Sequence, residues 1–433
     1  MKKKFQVAIA NYPLTSNCND INVLFDRLIN SGGQSMTLYI HIPFCSQICH
    51  YCIYHRITTN HVDMINQYVK AVVKEIELYS AYPVIQACKI DAIFFGGGTP
   101  TVLSAKNLCD IIDACKKYLP VAKDVEITVE TNPFNADKEK LEKLKEKGVN
   151  RISSGIQTFA DVHREHLGVA LNSDQVCQWL NDIQKYKFRE VSVDIMYALP
   201  GQSIEEALSD ITMAQSLGVS HISLYELIIF AQTKLPVVIE ENKLKNISIN
   251  EKFEMYQEID CLLTKMQYLN QIIPEYYLDN PSTFWRHTFD PEKGCIAIGC
   301  SSYGFLGELT YQNISSIQDY ITAINNRKLS IHYLSKPMTI EQEMERFIVL
   351  TSRTGIIDAS NFEKRFHITL ENCFGEILKR HIEEGLIRCE GNKYILTMKG
   401  KYLQSDLAVD YMQSIFIGKS NNYKKLKISN MRI

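Results

Sequence analysis

The sequence lacks any hydrophobic run that approaches the roughly 20 residues of a membrane-spanning helix. It also lacks an excess of charge of either sign, because 47 basic residues stand against 49 acidic ones and leave a formal net charge of -2. A nucleic-acid surface or an anionic membrane would favour a strongly basic chain. The opening MKKKFQVAIANYP holds an apolar run that is too short for a signal-peptide core. We therefore expect a cytoplasmic protein with no membrane span and no nucleic-acid partner.

Short β-rich runs alternate with helical segments through most of the chain. The predicted strands are Met36–Ile42, Ile90–Gly97, Val125–Thr131, Arg151–Gln157, Val191–Leu199 and His221–Ile228. One segment between them, ADKEKLEKLKEKG, repeats Leu141 and Leu144 on one helical face and closes at Gly148. Alternation of this kind predicts an α/β fold with a parallel sheet, either open or closed into a barrel.

Three polar residues interrupt the apolar strands. Glu130, Gln157 and Asp194 each lie inside or at the end of a predicted strand that should be buried on both faces. Each residue alone is as well explained by a hydrogen bond to a neighbouring backbone group. Three of them at equivalent positions are harder to explain in that way. Ligands in parallel α/β folds lie at the carboxyl ends of the strands. The pattern therefore predicts a ligand site at that edge.

The pattern changes to helices after about residue 310. Two helices, the second ending at Gly385, precede a two-stranded ribbon that turns at 390–392, which indicates a winged-helix-like α+β unit. The second helix mixes acidic with basic residues, so we favour a lid or accessory domain over a DNA-binding domain. The expected parts are an N-terminal arm at 1–35, a barrel at 36–310, the helical and winged-helix-like domain at 311–415 and a basic tail at 416–433.

Three cysteines stand apart from the other thiols. The chain holds 13 cysteines, an odd number that favours reduced thiols over a disulfide framework. Cys45, Cys49 and Cys52 follow a strand with no fourth cysteine nearby. A structural zinc site normally takes four protein ligands, for which only His50 and His55 are close in sequence. A 4Fe-4S cluster held by three thiolates would leave one iron open to a substrate or cofactor, and this is the interpretation we favour over zinc.

The stretch FFGGGTP supplies a place for a ligand. Successive glycines at the end of a strand let backbone amides approach a carboxylate or phosphate closely. The stretch lacks the continuation of a P-loop and the spacing of a dinucleotide fingerprint, so ATP and NAD are disfavoured.

Seven stretches together resemble one known family. In order they are YIHIPFC, FFGGGTP, ETNP, RISSGIQTF, VDIMYALPGQS, IGCSSYG and LTMKG. They resemble the radical S-adenosylmethionine (SAM) superfamily, and within it the group of oxygen-independent coproporphyrinogen III oxidases, haem chaperones and class C radical SAM methyltransferases. The resemblance runs from Tyr39 to Leu403. It implies a partial (β/α)6 TIM-like barrel followed by the winged-helix-like domain.

The resemblance also implies cofactors and the residues that hold them. Cys45, Cys49 and Cys52 would be the ligands and catalytic centre of a 4Fe-4S cluster whose open iron binds SAM. Electron transfer would then cleave SAM to methionine and a 5′-deoxyadenosyl radical, with flavodoxin or ferredoxin as the electron donor. The residues expected around the first SAM are Tyr39, Gly97 and Glu130. Those expected around a second SAM are Tyr51, Gly98, Thr99, Gln157 and Asp194.

The chain departs from the family pattern at several positions. Val169 occupies the place of an arginine that meets the second SAM, so either Arg164 or His166 replaces it, or that SAM is held less tightly or gives way to substrate. Tyr54 stands where the coproporphyrinogen oxidases carry a fourth cysteine. The HNxxYW haem motif of the chaperones is absent, and Trp285 and His287 occur in the wrong order.

The leading arm and the stretches TVLSAKNL and LPVAKDVEITVE resemble the anaerobic haem-degrading methyltransferases. They imply methyl transfer and ring opening on haem or a related tetrapyrrole, which is our first choice of reaction. The alternatives are a haem-binding carrier, a coproporphyrinogen-oxidase-like reaction, and methyl transfer to a heteroaromatic natural product. Cys295, Cys300, Trp285, Tyr276 and His287 remain outside the predicted site, and for Cys300 and the two aromatic residues we prefer a place in the core.

Overall fold

The structure is a computed structural model that describes residues 24–25, 35–54, 56–58 and 61–412. Most of the expected N-terminal arm, the basic tail at 416–433 and His55 lie outside the described residues. Within the described part of the chain, no helix is both long and apolar enough to cross a membrane.

The elements alternate along the chain as the sequence predicts. The strands are β1 (Ser35–Ile42), β2 (Phe44–Cys45), β3 (Ile57–Thr58), β4 (Lys89–Gly97), β5 (Val121–Thr131), β6 (Arg151–Gln157), β7 (Glu190–Tyr197), β8 (His221–Glu226), β9 (Leu269–Ile272), β10 (Glu275–Tyr277), β11 (Gly294–Ile298), β12 (Tyr303–Leu306), β13 (Leu309–Asn313), β14 (Ile331–Leu334), β15 (Ile356–Asp358), β16 (Ile387–Glu390) and β17 (Lys393–Leu396). The helices are α1 (Val62–Ser80), α2 (Pro83–Gln86), α3 (Ala105–Tyr118), α4 (Lys138–Glu146), α5 (Asp161–Leu167), α6 (Ser173–Gln184), α7 (Ile204–Ser216), α8 (Leu235–Glu241), α9 (Ile249–Lys265), α10 (Thr283–Thr288), α11 (Ile317–Asn325), α12 (Ile340–Thr351), α13 (Ala359–Phe366), α14 (Leu370–Glu383), α15 (Met398–Tyr402) and α16 (Gln404–Asp410).

Seven strands lie parallel in the order β11, β1, β4, β5, β6, β7, β8. Beyond β8 the sheet continues antiparallel through β10 and β9, and beyond β1 it continues through β11 to β14, which makes a 12-stranded sheet. Among the described residues its first and last strands do not pair with each other, so the barrel is open. This arrangement confirms the expected α/β fold with a partial barrel.

The apolar sequence of each central strand explains its burial. Ile90, Ile93 and Phe95 of β4 are fully buried, because helices cover the outer face of a parallel sheet. Helix α4 turns Leu141 and Leu144 into the core. Gly148 follows that helix at a φ of +84°, a conformation that glycine adopts without strain.

The C-terminal unit combines helices with a three-stranded sheet. Its strands pair in the order β15, β17, β16, and β16 and β17 form the expected ribbon that turns at 391–392. Helices α13 and α14 precede the ribbon, as in a winged helix. The boundary expected after residue 310 falls within β13, and the barrel sheet continues to Leu334. The division of the chain into domains stays a prediction.

Candidate cofactor site

The cysteine loop is fixed against the end of helix α5. The backbone N–H of His50 donates to the carbonyl oxygen of Leu167 at 2.9 Å, and His50 Nδ1 lies 2.9 Å from the carbonyl oxygen of His166. Gln47 Nε2 donates to the carbonyl oxygen of Gly168 at 3.2 Å. These contacts hold the loop in place from outside, so the three cysteines do not have to order it themselves.

The three thiols fit a cluster better than a single metal ion. Cys45 is buried, Cys49 and Cys52 are half-buried, and all three are free thiols. Burial and the neighbouring Cys52 raise the pKa of Cys49 to about 11, so iron binding would have to displace the proton. Cys49 and Cys52 also line an open cavity of about 450 Å³. Within the described residues no three His, Cys, Asp or Glu side chains converge on one ion, but a 4Fe-4S cluster binds each thiolate through a different iron.

The glycine run lies directly against the strand that leads into the cysteine loop. The N–H of Gly98 donates to the carbonyl oxygen of Ile42, and that of Thr99 donates to the carbonyl oxygen of Phe44, each at 2.7 Å. A Cβ on Gly98 would come within 2.6 Å of the Phe44 oxygen. Thr99 Oγ1 donates to Cys45 Sγ at 3.7 Å. The absence of side chains at this position therefore lets the glycine run and the cysteine loop pack together.

The residues expected around the first SAM lie close to one another. The N–H of Gly97 donates to Glu130 Oε2 at 3.3 Å, and Gly97 has a φ of +114° that favours glycine. A Cβ on Gly96 would lie 2.9 Å from that same oxygen and 3.1 Å from the ring of Tyr39. The hydroxyl of Tyr39 lies 3.1 Å from His41 Nδ1. Tyr39, Gly97 and Glu130 thus form one group at the carboxyl ends of β1, β4 and β5.

Two acidic side chains of this edge are difficult to ionise. Burial raises the pKa of Glu130 to about 8, and the carboxylate of Asp194 adds to this rise. Burial raises the pKa of Asp194 to about 7, and the nearby carboxylate of Glu275 adds to this rise. A cationic ligand would stabilise both ionised forms. The edge is therefore suited to the ammonium and sulfonium groups of SAM.

The residues expected around a second SAM include a hydrogen-bond acceptor that has no partner among the described residues. Gln157 has a φ of +71°, is 7% exposed, and has an Oε1 without a hydrogen-bond partner. Val169 packs in an apolar cluster that includes Tyr51 and Met196. Arg164 donates its Nε and Nη1 to carbonyl oxygens. Gln157 therefore offers a free hydrogen-bond acceptor, while Val169 and its apolar neighbours form an aliphatic wall.

Sequence reasoning missed a charged network inside the barrel. Arg151 pairs with Glu190, and His221 Nε2 lies 2.7 Å from Glu275 Oε2, which also accepts a 2.6 Å hydrogen bond from Ser223. A signal was available, because Arg151, Glu190 and His221 each begin a strand of an otherwise apolar sheet. The network extends from the amino ends of β6, β7 and β8 toward the predicted ligand edge.

Aromatic side chains fill the barrel beside Tyr39. Phe94 and Phe284 stack with their ring centroids 4.5 Å apart, and Trp285 meets Phe94 at 5.8 Å. The preferred interpretation of Cys300 as a buried residue is confirmed, since it is 0% exposed. Tyr276 is also fully buried and donates a hydrogen bond to Asp260 at 2.7 Å. The rings of Phe94, Phe284 and Trp285 form an apolar surface next to Tyr39, one of the residues expected to hold SAM.

The chain resembles known proteins over most of its length. The family profile of the radical SAM superfamily matches residues 39–214. The chain is 29% identical to the heme chaperone HemW of Lactococcus lactis over 84% of its own length and 93% of the relative. It is 32% identical to the anaerobilin synthase of Escherichia coli O157:H7 over 54% of this chain and 52% of that protein.

A solved structure shares the fold. The coproporphyrinogen III oxidase HemN from Escherichia coli superposes with a TM-score of 0.80 and covers 95% of this chain and 99% of its own. The two sequences are 19% identical, so this likeness bears on the fold alone. It agrees with a partial barrel that is followed by a smaller C-terminal unit.

Proposed function

We propose that this chain is a haem-binding radical SAM protein that uses a 4Fe-4S cluster and SAM. The observation that supports this most is the likeness to a heme chaperone along 84% of the chain. The aromatic surface beside Tyr39 gives a flat, apolar ligand a place within the same barrel. Haem is thus the tetrapyrrole to test first.

The residues of the site would have distinct tasks. Cys45, Cys49 and Cys52 would hold the 4Fe-4S cluster through three thiolates. The cluster and SAM, when bound, would supply one-electron reductive cleavage of SAM. Glu130 and the N–H of Gly97, which bond to each other at 3.3 Å, would orient the polar end of SAM. An electron donor such as flavodoxin or ferredoxin would reduce the cluster.

An anaerobic titration of the reconstituted protein with haem tests this proposal. We expect one haem to bind per chain, with a shift of the haem absorbance band that saturates at equimolar haem. A control titration with the protein after thermal unfolding separates a specific site from adsorption. If the folded protein gives no saturable shift, haem is not its ligand.

A second candidate is methyl transfer with ring opening of haem. It is favoured by the 32% identity to the anaerobilin synthase, which is limited to 234 aligned residues. The two candidates differ in what happens to haem when SAM and dithionite are added. A carrier returns haem unchanged, whereas the methyltransferase converts it to a methylated, iron-free open tetrapyrrole that mass spectrometry detects.

The aliphatic wall at Val169 predicts unequal binding of two SAM molecules. We expect the first SAM to bind tightly and the second weakly, because Val169 carries no charge and Arg164 already donates to carbonyl oxygens. Val169→Arg should tighten the second binding event by about ten- to a hundred-fold, the effect of one charge-assisted hydrogen bond. Equilibrium dialysis with radiolabelled SAM measures both events per cluster. Val169→Leu is the matched control, and an arginine variant that binds like it would contradict this prediction.

A further inference from the structure

One arginine of the C-terminal unit reaches the barrel. Arg353 lies in the short 3-10 turn Ser352–Thr354 that follows α12. The N–H of Ile273 donates to the carbonyl oxygen of Arg353 at 2.7 Å, and Arg353 Nη1 donates to the carbonyl oxygen of Ile273 at 3.3 Å. These reciprocal bonds fix Arg353 against the loop between β9 and β10, next to the open side of the barrel.

Among the described residues, the guanidinium group of Arg353 donates a hydrogen bond to a carbonyl oxygen and forms no ion pair with a carboxylate. Its Nε is buried without a hydrogen-bond partner, and its central carbon lies 5.5 Å from the ring centroid of Phe289. Burial lowers the pKa of Arg353 to about 10, although Tyr225 and Glu275 counteract this. Arg353 is half-buried, and an anion that joins a cation partly withdrawn from water stabilises it.

Glu275, the acidic side chain that interacts electrostatically with Arg353, is already used by other donors. Glu275 accepts hydrogen bonds from Ser223 at 2.6 Å and from Tyr225 at 3.4 Å, and lies 2.7 Å from His221 Nε2. Its negative charge is therefore shared among three partners inside the barrel. Within the described part of the chain, Arg353 thus has no carboxylate of its own.

Arg353 also lies near the predicted ligand edge. Tyr225 interacts electrostatically with Arg353, and its other neighbours include Asp194 and Tyr54 of the cysteine loop. On another side of the guanidinium group, Phe289 stacks on Trp285 at 6.1 Å with the ring planes 13° apart. Arg353 therefore contacts the ring of Phe289 and interacts with Tyr225, which in turn interacts with Asp194 of the predicted ligand edge.

We propose that Arg353 binds a carboxylate of the substrate, in particular a propionate of a flat tetrapyrrole whose ring lies on the aromatic surface of Trp285 and Phe289. This inference rests on the proposed function, which makes a tetrapyrrole the ligand. A guanidinium group binds a carboxylate through two parallel hydrogen bonds, and the buried Nε is one of the donors for that geometry. Arg353 thereby selects tetrapyrroles that carry acidic side chains.

The test compares haem with haem dimethyl ester, whose propionates carry no charge. In anaerobic titrations of the reconstituted holoprotein, we expect the unsubstituted protein to prefer haem over the ester by about ten- to a hundred-fold. Arg353→Met should weaken haem binding by the same factor and leave binding of the ester unchanged. Arg388→Met is the control, because Arg388 is an exposed arginine on β16 that pairs with Glu390.

Each outcome decides the inference. If the unsubstituted protein binds haem and the ester with equal affinity, the inference is wrong. It is also wrong if Arg353→Met binds haem with the affinity of the unsubstituted protein. Weaker binding of both ligands by Arg353→Met would assign the residue a structural role instead, and weaker binding of SAM alone would assign it to the cofactor. If the unsubstituted protein binds neither tetrapyrrole, the proposed function fails together with this inference.

Discussion

Replacing Cys49 by alanine is expected to remove the 4Fe-4S cluster and to abolish SAM cleavage. Cys49 is one of three thiols on a loop whose backbone is held by His50 and Gln47 rather than by the cysteines. The loop should therefore keep its fold, while a 4Fe-4S cluster would lose one of the three thiolates proposed to hold it. Iron and sulfide analysis of the anaerobically reconstituted variant, together with chromatography of 5′-deoxyadenosine, measures both effects.

Cys261→Ala is the matched control for this variant. Cys261 is an exposed thiol on α9, outside the cysteine loop. We expect it to retain the iron content and the SAM cleavage of the unsubstituted protein. If Cys49→Ala still produced 5′-deoxyadenosine at the original rate, the assignment of the three thiols would be wrong.

Replacing Glu75 by alanine is expected to cause the largest loss of stability. This carboxylate of helix α1 is 0% exposed and accepts four hydrogen bonds. The donors are the N–H of Gly299 at 2.8 Å, Asn313 Nδ2 at 3.1 Å, the hydroxyl of Tyr320 at 2.6 Å and that of Ser330 at 2.9 Å. Removing one member of such a buried network leaves the other groups unsatisfied and costs about 3–5 kcal/mol.

Chemical unfolding followed by circular dichroism measures this effect on the free energy of unfolding. Glu77→Ala is the control, because Glu77 is an exposed residue of the same helix and its removal should change stability by less than about 0.5 kcal/mol. Equal stability of the two variants would mean that the four hydrogen bonds contribute nothing net. That result would contradict the role of Glu75 in joining α1 to the sheet and to α11.

Much of the fold could be predicted because its signals are local. Apolar runs that alternate with amphipathic helices identified the six central strands, although β7 ends at Tyr197 rather than at Leu199. The family resemblance placed Gly97 and Glu130 around the same SAM, and the two residues lie within hydrogen-bond distance. The continuation of the sheet through β13 and β14 was missed, since these strands are short and pair antiparallel across turns.

The remaining features of the site depend on contacts between distant segments. Nothing local to Arg164 indicates that its guanidinium group bonds to the carbonyl oxygens of Ile156, Thr158 and Leu171. The unpaired cation of Arg353 likewise arises only where the C-terminal unit meets the β9–β10 loop. Such contacts form across the tertiary structure, so a motif reports the chemistry of the cluster and not the shape of the substrate pocket.

The most direct test of the central claim is SAM cleavage by the reconstituted protein under anaerobic conditions. The protein is supplied with dithionite and SAM, with and without haem, and 5′-deoxyadenosine and methionine are quantified by chromatography and mass spectrometry. We predict a brown protein that contains four irons per chain, as a 4Fe-4S cluster requires, and that forms 5′-deoxyadenosine in a reductant-dependent manner. A colourless protein that holds zinc instead of iron and leaves SAM intact would contradict the account.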